Sequence, residues 1–289
     1  MAIEVELKLL VAPQWDIPLE ELPPLKAVER LTFPLQNRYL DTPDQQLTQS
    51  GIALRLRHQK GEWLQTLKSQ HSPKGGLHQR QEREMAVSED ALEWDRLPAD
   101  ALPEGLDRSA VDVVFETNFE RRLWLLDYQG ARIELVLDQG AARMGDQEST
   151  IAEFELELKD GEPSALFALA TELAQHIPLV PSDISKAERG FNLLNQQTGW
   201  PKTPDADADT AAWLSAVCRQ LEALPDSSTD LVKSLQGLSR RGDGHVGLVQ
   251  TLMAGLSDDI TRWWQLPDAR QLGQWLIAES HRAWERETA

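Results

Sequence analysis

Apolar and polar residues alternate along much of the first two hundred positions. Ile3, Val5, Leu7 and Leu9 fall on one side of an extended chain, with Glu4, Glu6 and Lys8 on the other. Ile52, Leu54 and Leu56 oppose Arg55 and Arg57, and Ile133, Leu135 and Leu137 oppose Glu134 and Asp138. Phe154, Leu156 and Leu158 oppose Glu153, Glu155 and Glu157. A period of two predicts half-buried strands. Residues 63–68, 80–87, 111–118 and 121–128 complete a set of eight strands, joined by turn-like segments such as Ser72–Gly76. Eight antiparallel strands can close into a barrel just wide enough to enclose side chains or one small ligand. The expected fold is α+β: an eight-stranded antiparallel β-barrel covered by helices.

Helical spacing appears where the alternation stops. After Pro163, the residues Leu166, Phe167, Leu169, Ala170, Leu173 and Ala174 share a face, with proline at the first turn. Ser182–Gln197 carries a stripe of Ile184, Ala187, Phe191 and Leu194, and a proline-broken helix is expected over Ile17–Leu31. From residue 210 onward only helical periodicity remains, over about 210–224, 231–240, 246–264 and 269–286. Trp263, Trp264, Trp275 and Trp284 there read as helix-packing core. Gly199, Pro201, Pro204 and three aspartates mark a linker. The expected organisation is a barrel domain at 1–200, a linker at 201–209 and a helical region at 210–289.

Composition narrows the setting. The only cysteine, Cys218, can form no internal disulfide, which suits a reducing compartment. The first residues are charged, with no signal-peptide core, and no apolar run approaches a membrane span. A cytoplasmic protein that does not contact membrane is expected. The net charge of −18 argues against general nucleic-acid binding, yet allows an anionic substrate in a local basic pocket. The sequence has no GxxxxGK[ST], HExxH or GxSxG motif, and its histidines lack metal-ligand spacing. His78, beside the Arg80–Glu82 strand, is the histidine to check.

The polar faces of the strands carry both signs of charge. On an open sheet this would be a solvated surface of cross-strand ion pairs. Inside a barrel it is costly unless something binds there. The pairs Glu4/Glu6 and Glu153/Glu155 point the same way about 7 Å apart, a spacing that suits a hard divalent cation with oxygen ligands. Interspersed arginines and lysines suit phosphate oxygens.

The order of these segments resembles the CYTH superfamily, the triphosphate tunnel metalloenzymes. Glu4-Val5-Glu6-Leu7-Lys8 matches its ExExK signature, and Tyr39-Leu40-Asp41-Thr42-Pro43 resembles its Y-F-D-T-P segment. Leu54-Arg55-Leu56-Arg57, Thr66-Leu67-Lys68, Arg80-Gln81-Glu82, Phe119-Glu120-Arg121 and Asp138-Gln139-Gly140 follow in family order. Glu153–Leu158 and Ser185-Lys186-Ala187-Glu188-Arg189-Gly190 close the pattern. The resemblance covers residues 1–200 and is closest to bacterial inorganic triphosphatases with a helical C-terminal region.

The resemblance implies metal-dependent hydrolysis of inorganic triphosphate, a small-molecule substrate, with Mg²⁺ or Mn²⁺. Glu4, Glu6, Glu82, Asp138, Glu153 and Glu155 would be metal ligands, with Glu84 and Glu157 further choices. Lys8, Arg55, Arg57, Lys68, Arg121 and Lys186 would bind the phosphate chain, with Arg80 and Arg189 second. Lys8 and Lys68 are the lysines assigned to catalysis; the proton acceptor is left open between a glutamate and a lysine of lowered pKa. Arg122 has the opposite parity to Arg121, so only one of them is expected inside. Tyr39 and Asp41 are expected to fix a loop. The alternatives are an adenylate cyclase or thiamine triphosphatase of the same fold, a polyphosphate-binding module without turnover, and a scaffold role for the helices. Trp63 and Trp124, the aromatics considered for an organic group, have outward or ambiguous parity, which favours a wholly inorganic substrate.

Overall fold

The computed structural model describes residues 2–69, 73–196, 202–223, 228–242, 245–256 and 262–288. Residues 197–200 of the expected barrel domain, residue 201 of the expected linker, residues 224 and 257–261 of the expected helices and Ser72 of the expected turn lie outside them. Eight strands form one closed antiparallel barrel: β1 (Ala2–Val11), β2 (Arg30–Asp41), β3 (Ile52–Gln59), β4 (Glu62–Ser69), β5 (Leu77–Val87), β6 (Asp112–Tyr128), β7 (Ala131–Met144) and β8 (Gln147–Asp160). Their order is β5-β4-β3-β2-β6-β7-β8-β1, and β1 pairs back onto β5 to close it. A three-residue strand, β9 (Leu179–Pro181), adds to the far end of β1.

The count of eight agrees with the alternation, but its membership differs. Residues 111–118 and 121–128 belong to one strand, β6, and β2 takes the remaining place. In β6 the charged run Glu120-Arg121-Arg122 hides a period that continues unbroken through Phe119 and Arg121. In β2, Pro34 interrupts the pattern. It lies opposite Glu120 of β6, just before the pairing with β3 begins at Leu35↔Gln59, near the end of the two-sided part of the strand. The expected helix over Ile17–Leu31 is reduced to two 3₁₀ turns, Leu19–Glu21 and Pro23–Leu25, because Pro18, Pro23 and Pro24 cannot continue a helix.

The helices are α1 (Gln46–Gln49), α2 (Ser164–Ala174), α3 (Lys186–Leu194), α4 (Thr210–Glu222), α5 (Ser228–Arg241), α6 (Val246–Gly255) and α7 (Ala269–Thr288). The expected helix at 246–264 ends at Gly255, and Trp263–Gln265 forms a separate 3₁₀ turn. The main core lies outside the barrel wall. Leu7 and Leu9 of β1, Ile133 and Leu135 of β7, and Phe154 and Leu156 of β8 pack against α2 and Ile277 of α7. A second core joins α4–α7 to the wall itself, burying Leu10, Ala12 and Val180 among Trp213, Trp263 and Trp275. Among the described residues no helix is long and apolar enough to cross a membrane.

Because the outward positions of β1, β7 and β8 are committed to these cores, the opposite parity points inward. Asp41 is not part of the interior. It accepts hydrogen bonds from the amides of Thr42, Leu47 and Thr48, at 2.8, 2.9 and 3.1 Å, and so anchors α1.

Candidate active site

The barrel encloses a cavity of about 880 Å³. Glu4, Glu6 and Lys8 of β1, Arg55 and Arg57 of β3 and Lys68 of β4 line it. So do Arg80, Glu82 and Glu84 of β5, Arg121 of β6, and Glu155 and Glu157 of β8. Asp138 and Glu153 have the same parity and are wholly buried behind this lining. The register explains the convergence: Asp138 sits opposite both Arg121 and Glu153, and Lys8 sits opposite Glu155. Arg122 points outward and lies 3.4 Å from Glu120.

One wall is acidic. Carboxylate oxygens of Asp138, Glu153 and Glu155 lie within 4.8 Å of one another. The Lys186 ammonium, carried by α3, sits 2.7, 2.5 and 2.8 Å from the three. Lys8 lies 2.8 Å from both Glu153 and Glu155. Burial works against the Glu153 carboxylate, but Lys186 and Lys8 outweigh it and bring its pKa down to about 2. Burial likewise works against the Lys8 ammonium, yet Glu153, Glu155 and Glu6 hold its pKa well above the ordinary value. With these partners Lys8 is held in its charged form.

Two observations fit this wall to a divalent cation. Glu153 Oε2 is buried and accepts no hydrogen bond, which leaves an oxygen lone pair unanswered. Glu6 has too little compensation: burial, with Glu155 and Glu4 adding to it against Arg80 and Lys8, pushes its pKa up to about 7. A hard cation takes such oxygens as ligands. Glu4 and Glu82 are better served. Lys68 lies 3.1 Å from Glu4 and 2.8 Å from Glu82, and Arg80 bridges Glu4 and Glu6 at 2.8 and 2.5 Å.

The neighbouring wall is basic. Arg121 holds Asp138 through two hydrogen bonds of 2.8 and 2.6 Å and reaches Glu155 at 3.0 Å. Arg55 lies 3.6 and 3.5 Å from Glu82 and Glu84. Arg57, between them, donates from Nε to Asn37 at 2.8 Å, and no carboxylate among the described residues lies within ion-pair distance of it. Burial, with Arg55 and Arg121 adding like charge, lowers its pKa to about 10. An anion placed here would answer three guanidinium groups at once.

The interior is not uniformly charged. Phe33 lines the cavity from β2, with Lys60 4.4 Å from its ring centroid, and Tyr39 and Phe191 line it as well. Trp63 and Trp124 pack in the outer cores, but these inward aromatics were not among those weighed from the sequence, so the interior is not without a ring for an organic group. Leu35, Phe119 and Ile151 fill one end, where Leu193 of α3 joins them. Helix α3 comes this close to the strands because residue 190 is glycine. A Cβ there would lie 2.0 Å from the ring of Phe115. His78 lines the cavity, but its Nε2 lies 3.1 Å from the carbonyl of Ser182, and burial beside Lys8 and Arg80 lowers its pKa to about 3. It is a neutral structural group.

A family model described as the CYTH domain matches residues 2–191. The chain belongs to the CYTH family. An inorganic triphosphatase of Haemophilus influenzae is 34% identical over 204 residues, covering 69% of this chain. The CYTH chain spans 58% of that relative's length. A solved structure described as a candidate adenylyl cyclase from Hippeastrum with a dominant triphosphatase activity is 20% identical, with a TM-score of 0.47 over 67% of this chain and 95% of its own. The structure of inorganic triphosphatase NE1496 is 24% identical, with a TM-score of 0.26 over 58% of this chain and 80% of its own.

Several lining residues were not singled out from sequence. Lys159 reaches Glu157 at 2.7 Å and Glu134 at 3.7 Å. The period-two run Glu153, Glu155, Glu157 extends directly to it. Phe33 went unseen with its strand, as did Asn37, the hydrogen-bond partner of Arg57. Ser215 and Arg219 line the cavity from α4, and no local pattern announces them.

Proposed function

We propose that this chain hydrolyses inorganic triphosphate to diphosphate and phosphate inside the barrel, with Mg²⁺ or Mn²⁺. The observation that carries the reading is Arg57, without a carboxylate partner among the described residues, in an 880 Å³ cavity whose wall includes Glu155 of a three-carboxylate cluster, with Asp138 and Glu153 buried just behind it. A linear phosphate chain answers the first, and its counter-cation the second. The 34% identical relative named inorganic triphosphatase supports the same chemistry.

In this reading Arg55, Arg57, Arg121 and Lys68 hold the phosphate oxygens in a fixed geometry. Asp138, Glu153 and Glu155, with Glu6 nearby, hold the cation. Bound there, a divalent cation neutralises charge developing on the phosphoryl oxygens and lowers the pKa of an attacking water. Phosphoryl transfer asks little covalent chemistry of the protein, so positioning and neutralisation supply most of the rate. Lys8 keeps the acidic wall ionised, and Lys186, whose ammonium bridges all three carboxylates, would give way to the cation.

Phe33 and Lys60 favour a second reading, in which an organic group attached to the triphosphate rests on the ring. Phosphate release from tripolyphosphate, ATP and thiamine triphosphate, each with Mg²⁺, Mn²⁺ or EDTA, separates the two. Metal-dependent turnover fastest on tripolyphosphate is expected. Faster turnover of ATP or thiamine triphosphate, slowed by Phe33→Ala, would move the substrate to the organic class. Tight tripolyphosphate binding without any turnover would leave a binding module.

A further inference from the structure

Helix α4 belongs to the C-terminal helices, yet one of its faces is directed at the segment that carries Lys186 into the barrel. Ser215, Arg219 and Glu222 follow one another at i, i+4 and i+7, which places them in one row. The Ser215 hydroxyl donates to Asp183, whose other oxygen accepts from the amide of Gly76 at 2.7 Å. Arg219 pairs with Glu188 at 2.6 Å. The Glu222 carboxylate accepts from the Ser182 hydroxyl at 3.0 Å and forms an ion pair with Arg189. Arg189 is 9% exposed and Glu222 10%, so this pair is screened little by solvent.

Arg189 stands between two carboxylates. Its Nη2 is ion-paired to Glu222 on one side and lies 3.7 Å from Glu153 Oε2 on the other. That Glu153 oxygen accepts no hydrogen bond. An arginine closing fully on Glu153 would occupy the oxygen that the acidic wall offers to a cation.

We propose that Glu222, supplied by the C-terminal helices, is a positioning residue that draws Arg189 off Glu153 and keeps Glu153 Oε2 open to a divalent cation. The inference rests on the reading of the acidic wall as a cation site. It makes the helical region part of the tunnel's chemistry, although α4 places no carboxylate of its own in the acidic cluster. Outer-shell groups that position a metal ligand typically change metal affinity 10- to 100-fold when removed.

The test is direct Mn²⁺ binding to the full chain, followed by the electron paramagnetic resonance signal of free Mn²⁺, so that it does not depend on turnover. Four proteins are compared: wild type, Glu222→Gln, Arg189→Gln and the double variant. Glu222→Gln is expected to weaken Mn²⁺ binding about tenfold. With Arg189 already replaced there is nothing left to close on Glu153, so the same change is expected to shift binding less than about twofold. Equal weakening in both backgrounds would show that Glu222 acts only by holding the fold, and would overturn the inference. Unchanged binding in Glu222→Gln would overturn it alone, whereas a wild type that binds no Mn²⁺ overturns the cation reading with it. Should Glu222→Gln fail to fold, Glu222→Asp, which keeps the charge but withdraws it from Arg189, carries the same comparison with an expected weakening of about threefold.

Discussion

Replacing Arg57 with methionine should make the protein more stable and a poorer binder of triphosphate. The Arg57 guanidinium has Asn37 as its hydrogen-bond partner and two arginines as neighbours, and its pKa falls to about 10. At 1.36 kcal/mol per pH unit this is about 3 kcal/mol against the charged form. Partial exposure and screening reduce that to about 2 kcal/mol. Losing the bond to Asn37 costs about 1 kcal/mol. A net gain of about 1 kcal/mol remains, or about 2–4 °C in melting temperature for a domain of this size. Tripolyphosphate binding should move the other way, by the about 1.5–3 kcal/mol of a hydrogen bond to a charged group, or roughly 10- to 100-fold in Kd. Thermal melting without ligand and calorimetric titration with tripolyphosphate read the two effects separately. A variant that melts below wild type, or that binds tripolyphosphate as tightly, would refute the idea that Arg57 is held ready for an anion.

Three further outcomes follow from the same geometry. Asp138→Asn should abolish most of the stabilisation by Mn²⁺, which at one hundred times its Kd should amount to about 2.7 kcal/mol in the wild type; equal melting shifts in both proteins would contradict this. Gly190→Ala should cost about 1–3 kcal/mol in urea denaturation, because the added carbon meets the Phe115 ring at 2.0 Å and must push α3 outward; an unchanged midpoint would mean that α3 moves freely. His78, held neutral with a pKa of about 3, gives the unfolded chain the larger proton uptake at all pH values between about 3 and its ordinary 6.5. Its contribution to stability is therefore intact above pH 6.5 and is lost as pH falls, by about 2 kcal/mol at pH 5. A His78→Gln variant that folds should show a stability profile flatter by that amount, and parallel profiles would exclude a buried neutral imidazole.

The strands whose two faces differ most were the ones legible from sequence. In β1, β3 and β8 alternate apolar residues such as Leu7, Leu9, Leu54, Leu56, Phe154 and Leu156 are buried in outer cores, so parity alone placed Glu4, Arg55 and Glu153 inside. Strand β2 breaks that rule, since its inward residues include Phe33, Leu35 and Tyr39, and β6 turns Phe115 and Phe119 inward beside Arg121. Apolar residues on the inner face give no contrast to read, and the aromatic lining went unseen with them. Lys186 and Arg189 on α3 followed only from the family resemblance of Ser185–Gly190; the close approach that Gly190 allows is visible in the structure alone. Ser215, Arg219 and Glu222 were invisible for a different reason. Their meaning depends on how α4 packs against residues 182–189, a contact set by tertiary burial of Trp213 and Leu214 that no local period encodes.

The most direct test of the central claim, that one cavity holds a phosphate chain and a divalent cation together, is a crystal structure of the chain soaked with tripolyphosphate and Mn²⁺, with the metal located by anomalous scattering. The account predicts an anomalous peak ligated by oxygens of Asp138, Glu153 or Glu155, with Lys186 displaced from their centre and phosphate density against Arg57. A phosphate chain bound outside the barrel, or one that fills the cavity while all three carboxylates keep their present lysine partners and no metal, would contradict it.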